Sequence, residues 1–139
     1  MFAAIPLLAL PVIVYNLIAF TSGAGGAEGA MNSPLFTIHM PTSAAWVVTL
    51  GDLLLAASLV VLFVELLKST TSRRIAIINH SLSMILFIVC LIEFLLAPVF
   101  ATSTFFLITV MVLLDVLAGF IVTIVSARRD IDFDPSGPH

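Results

Sequence analysis

Four apolar runs separated by polar punctuation set the pattern of this chain, at about residues 2–20, 44–67, 77–97 and 104–126. Each approaches the roughly 20 mainly apolar residues that a helix needs to cross ~30 Å of hydrocarbon. The expected fold class is therefore all-α, an integral membrane bundle of four transmembrane helices forming a single domain over residues 1–139. Pro6 and Pro11 fall inside the first run and predict a kinked helix. No basic residue precedes that run, so it reads as an uncleaved anchor rather than a secretory signal.

The connection at 21–43 opens with Thr21-Ser22-Gly23-Ala24-Gly25-Gly26-Ala27-Glu28-Gly29-Ala30, too rich in Gly for a helix. Further on, Phe36, Ile38 and Met40 alternate with Thr37 and His39 between Pro34 and Pro41, which is the period of a strand. A lone strand leaves its edges unpaired, so this extended segment is expected at the outer interface, over the bundle, or against another chain. Thr42 or Ser43 is placed to cap the second helix.

Composition fixes the compartment. Of 139 residues, 61% are apolar and 9% charged, with a mean hydropathy of +1.26. Five basic and eight acidic side chains could not solvate a soluble globule of this size, which excludes soluble enzymes and nucleic-acid binders. The one cysteine excludes an internal disulfide and a Cys-rich metal site. The basic residues Lys68, Arg73, Arg74, Arg128 and Arg129 all fall in the second connection or after the fourth run. By the positive-inside rule they are topology determinants: both termini are expected in the cytoplasm of a bacterial inner-membrane protein, with loop 21–43 periplasmic and tail 127–139 cytoplasmic. Trp46 then falls at the outer end of the second helix, in the headgroup layer.

Several motifs lose their meaning in context. Gly25 and Gly29 make a G-x-x-x-G outside any span, where no helix face exists to pack. Asp130, Asp132 and Asp134 imitate a calcium loop, but Pro135 stands where the sharp turn wants Gly. Asn79-His80-Ser81 is a glycosylation sequon at a cytoplasmic helix mouth, beyond the acceptor machinery. No ligand set for haem, zinc or a nucleotide is present, so no catalytic residue, metal or cofactor is expected.

The chemistry-bearing residues are ionisable side chains inside the runs, each costing about 2.5–3.5 kcal/mol at a helix centre. Counting ~1.5 Å per residue from each run's centre puts Asn16, Asp52, Glu93 and Asp115 in one intramembrane polar layer. Glu65 and His80 come out together near the inner interface, as a candidate pair. Ser83, Cys90 and Glu93 share a face of the third helix, and Met111, Asp115, Ala118 and Gly119 a face of the fourth, so the polar groups are expected to point inward. No Lys or Arg shares the depth of Asp52, Glu93 and Asp115. Those acids act either as hydrogen-bonding staples between helices or as stations for a proton or cation. Cys90 reads as packing.

The runs Thr49-Leu50-Gly51-Asp52, Asn79-His80-Ser81-Leu82-Ser83-Met84, Ser103-Thr104-Phe105-Phe106 and Ser126-Ala127-Arg128-Arg129-Asp130 resemble those of small four-helix inner-membrane proteins of Gram-negative bacteria. That resemblance implies a fold and a compartment but no activity. Small multidrug transporters need a Glu in the first helix, where this chain has Asn16. Two functions stay open. One is a non-enzymatic accessory or assembly subunit of a larger inner-membrane complex. The other is a small oligomeric proton or cation conduit built on the intramembrane carboxylates. The expected partners are the lipid bilayer and either a membrane protein or further copies of the chain, with no nucleic acid. Lipid or quinone enzymology ranks below both, because no nucleophile with an adjacent base can be assembled.

Overall fold

The computed structural model describes residues 5–23, 26–68 and 73–132, with the side chains of 73–76, 126 and 129–132 outside that description. Its elements are α1 (Ala9–Thr21), α2 (Gly26–Met31), a hairpin of β1 (Pro34–His39) and β2 (Ala45–Thr49), α3 (Leu50–Lys68), α4 (Arg73–Leu96), a 3-10 turn (Pro98–Phe100) and α5 (Ser103–Asp132). Three segments are long and apolar enough to cross a membrane: Leu50–Lys68, Ile77–Leu96 and Ser103–Val125. The chain is thus a mainly helical membrane protein.

The expected boundaries shift in five places, each for a local reason. At 13 residues α1 is only ~20 Å long. Pro6 lies before it and Pro11 in its first turn, where the missing N–H has no helical acceptor to lose, so the proline pair starts the helix instead of kinking it. The Gly-rich stretch holds the short helix α2, entered through Gly26 at φ 61° and fastened by burying Ala27 and Met31. The extended segment is not alone, because Ala45–Thr49, expected in the second helix, pairs with it antiparallel. Neither Thr42 nor Ser43 caps α3. Ser43, at φ 65°, instead turns the hairpin tip, and Trp46 sits on β2 rather than on a helix. The last helix runs on to Asp132, into the expected tail, of which 133–139 lie outside the described residues.

The core is organised around α5, which packs against α4, α3 and α1. Its buried positions Phe105, Ile108, Met111, Val112, Asp115, Val116 and Gly119 recur at three- and four-residue spacings, the stripe by which one helix faces its neighbours. At the end where α1, α2 and the 3-10 turn meet α5, the rings of Tyr15, Phe100 and Phe105 stack with centroids 4.8–5.8 Å apart. The Tyr15 hydroxyl shares a hydrogen bond with Thr102 Oγ1, which also accepts the Phe105 N–H and so caps α5. Gly51 allows α3 to approach closely, since a Cβ there would lie 3.0 Å from Thr104 Oγ1 and 3.1 Å from the Met31 carbonyl.

Candidate functional site

The intramembrane acids do not form one layer. Asp52 sits in the first turn of α3, exposed, and its Oδ2 accepts from the Thr49 N–H at 2.9 Å and the Thr49 hydroxyl at 2.8 Å, while its own N–H donates to Thr49 Oγ1 at 3.2 Å. This is a capping box that places a carboxylate at the positive end of the helix. Asn16 and Glu93 do meet: Asn16 Nδ2 donates to Glu93 Oε2 at 3.3 Å and to the Val12 carbonyl at 3.0 Å.

Asp115 belongs elsewhere. It is fully buried, and Ser83 Oγ donates to its Oδ2 at 2.6 Å. Ser83 lies ten residues before Glu93, about 15 Å along α4, so Asp115 is a long way from the Asn16–Glu93 pair. Toward the other end of α4, the His80 side chain packs directly on Gly119 of α5. Any Cβ at Gly119 would overlap the His80 imidazole, so the ring lies over the bare glycine. Asp115 instead lies within electrostatic reach of Glu65, His80 and Lys68.

Glu65 and His80 do not pair, because consecutive helical residues diverge by about 100° and it is Asn79 that turns toward α3. Glu65 has no exposure, though it lies in the last turn of a helix expected to end at the interface. Its Oε2 accepts the Leu7 backbone N–H at 2.6 Å, and its Oε1 accepts Asn79 Nδ2 and, at 3.3 Å, Lys68 Nζ. Lys68 Nζ also donates to the Ile5 carbonyl at 2.8 Å and to Asn79 Oδ1 at 3.3 Å. One ion pair, with Glu65 buried and Lys68 partly exposed, therefore fastens three segments: the start of the chain, α3 and α4. Lys68, expected from the sequence as a topology determinant, serves here as a staple. Arg128 is exposed, whereas the side chains of Arg73, Arg74 and Arg129 lie outside those described.

Beside this cluster, a groove of about 440 Å³ opens between α4 and α5, walled by Ile77, His80, Met84, Val116, Gly119 and Phe120. The Ser81 and Thr123 hydroxyls on its rim donate back to their own helices, to Ile77 O at 3.0 Å and Gly119 O at 2.9 Å. Among the described residues, the buried side-chain atoms left without a hydrogen-bond partner are His80 Nδ1, His80 Nε2 and Asp115 Oδ1. Sequence reasoning missed Asn79, set aside as part of a sequon; a polar amide inside an apolar run was the signal available.

No family model, curated protein or solved structure matches this chain.

Proposed function

We propose that the protein is a non-enzymatic accessory or assembly subunit of a larger inner-membrane complex. In this reading α1 and the turn before it make a fourth crossing alongside α3, α4 and α5, both termini are cytoplasmic, and the segment from α2 through the hairpin faces the periplasm. The basic residues Lys68 and Arg128, near the ends of α3 and α5, support that orientation.

The observation that carries the reading is how the acids of the apolar runs are used. Glu65 is taken up by Lys68, Asn79 and the Leu7 N–H, Glu93 is held by Asn16, Asp52 by Thr49, and one oxygen of Asp115 by Ser83. Each acid works as a staple between or within segments, which is what a scaffold needs and what a conducting line of exchangeable groups lacks. Meanwhile the outer faces of α3 and α4 are apolar and open, with Leu59, Val60, Phe63, Ile85, Ile88 and Ile92 exposed. In a bilayer such a wall accepts either lipid or the helices of a larger partner.

A second reading, a small oligomeric proton or cation conduit, draws on the three unpartnered atoms of His80 and Asp115 beside the α4–α5 groove. Intramembrane ionisable groups without partners suggest proton traffic. Photo-crosslinkers at Leu59 and Ile88 in native membranes separate the two. The accessory reading expects a cross-linked product with one discrete larger membrane protein, and no gradient-driven flux from purified protein in proteoliposomes. Cross-links only between copies of the chain, with proton flux abolished by Asp115→Asn, would reject it in favour of the conduit.

A further inference from the structure

We infer that the β1–β2 hairpin is a membrane-surface anchor, laying the face that carries Phe36, Ile38 and Trp46 into the headgroup layer of the bilayer that α3 enters. The register divides the hairpin into two unlike faces. Residues opposite one another in an antiparallel pair share a face, so the pairs Phe36↔Val48 and Ile38↔Trp46 make one side, and Thr37↔Val47 and His39↔Ala45 make the other. The first side is wholly apolar and aromatic; the second holds the polar Thr37 and His39. Val48, at the hairpin base, is buried, but Phe36, Ile38 and Trp46 remain 52%, 39% and 49% exposed. A hairpin of two strands is marginal by itself in water, and beyond Val48 this one leaves its most apolar face largely open.

Its position identifies the cover. β2 ends at Thr49 and α3 begins at Leu50, with no residue between them. The junction is fixed: Leu50 N–H donates to the Ser33 carbonyl at 3.1 Å, and Thr49 and Asp52 form the capping box. The hairpin thus stands at the mouth of a helix that is long and apolar enough to cross a bilayer, at the end opposite Lys68. Indole and phenyl groups favour this boundary layer, where their apolar bodies leave water without entering the chain region. No charged residue occurs between Glu28 and Asp52, so the attraction is to the interface itself and not to an anionic headgroup. This anchoring is separate from whatever protein the helical walls contact.

Trp46 is the only tryptophan, which makes it a reporter of its own surroundings. The test places the full chain in nanodiscs of neutral phosphatidylcholine carrying bromine either near the headgroup end of the acyl chains or near their tips. The expected result is blue-shifted emission, little quenching by aqueous acrylamide, and about twofold stronger quenching by shallow than by deep bromines. None of these should change on raising the salt. Moving the reporter to the other face, with Thr37→Trp in a Trp46→Phe background, should reverse the preference toward acrylamide. Free access of acrylamide to Trp46 without bromine quenching would overturn the anchor. Shielding of Trp46 from both quenchers would overturn it equally, by pointing to a protein cover such as a second copy.

Discussion

Replacing Glu65 by Gln changes one atom in a group without solvent exposure, and its cost follows from the donor count. The carboxylate accepts from the Leu7 N–H, Asn79 Nδ2 and Lys68 Nζ, using both oxygens. An amide offers one oxygen and one NH2, so at least one of those donors meets another donor. Each hydrogen bond to a buried charge contributes about 1.5–3 kcal/mol, and Lys68 also loses its counter-charge, so Glu65→Gln should destabilise by about 2–3 kcal/mol. Glu65→Leu should cost more, about 3–4 kcal/mol, because it leaves the Leu7 N–H and Asn79 Nδ2 without their acceptor and Lys68 without its counter-charge. The double variant Glu65→Leu with Lys68→Met removes both charges and should recover more than half of that loss. Cys90, the sole cysteine and fully buried, supplies the assay. A thiol-reactive fluorogenic dye reads melting in detergent, where Glu65→Gln should lower the midpoint by roughly 5–15 °C. An unchanged midpoint for Glu65→Gln, or a double variant as poor as Glu65→Leu, would refute the buried-staple account.

Other outcomes follow from the same geometry. Gly119→Ala should destabilise by about 1–3 kcal/mol through collision with the His80 ring, and adding His80→Ala should relieve most of it in the same melting assay. Asp52→Ala should cost about 1 kcal/mol as a lost cap, while Asp52→Asn, which can still accept from Thr49, should cost less than half of that. Ser43→Gly should be neutral or stabilising by up to about 1 kcal/mol, since the hairpin tip holds Ser43 at φ 65°; a marked loss would mean that the serine side chain has a role of its own.

Much of the helical plan was legible because hydropathy reports burial in lipid directly, and α3, α4 and α5 each overlap one expected run, although α4 starts four residues before its run and α5 continues six past its own. The hairpin's second strand was hidden because Ala45-Trp46-Val47-Val48-Thr49 continues into the aliphatic start of α3 without a break in hydrophobicity. Only its β-branched and aromatic content marked it. Thr49-x-x-Asp52 carried the spacing of a capping box, yet depth counting placed the aspartate in a membrane layer and obscured that simpler role. Depth counting also failed for Asp115, because interhelical register depends on which side chains meet, and Asp115 meets Ser83, ten residues before Glu93, while His80 sits on Gly119. Glu65 shows the limit most plainly. Two of its three donors, Asn79 and the Leu7 N–H, come from distant segments, and one of them is a backbone group that no reading of side chains could nominate.

The central place of α5 also has a bearing on how the protein is made. Ribosomes deliver a chain from its beginning at about 5–20 residues per second, so the helix against which α1, α3 and α4 pack leaves the tunnel after them. For a few seconds α3 and α4 stand in the membrane with Ser83 lacking the carboxylate it will later bond, and with the Tyr15 ring lacking Phe105 to pack against. Insertion therefore ends in a single closing event, when Phe105, Ile108, Val112 and Asp115 arrive together. A chain cut short before residue 103 would keep the apolar helices α3 and α4 but lose every contact they make with α5, and it should be degraded faster than the full chain.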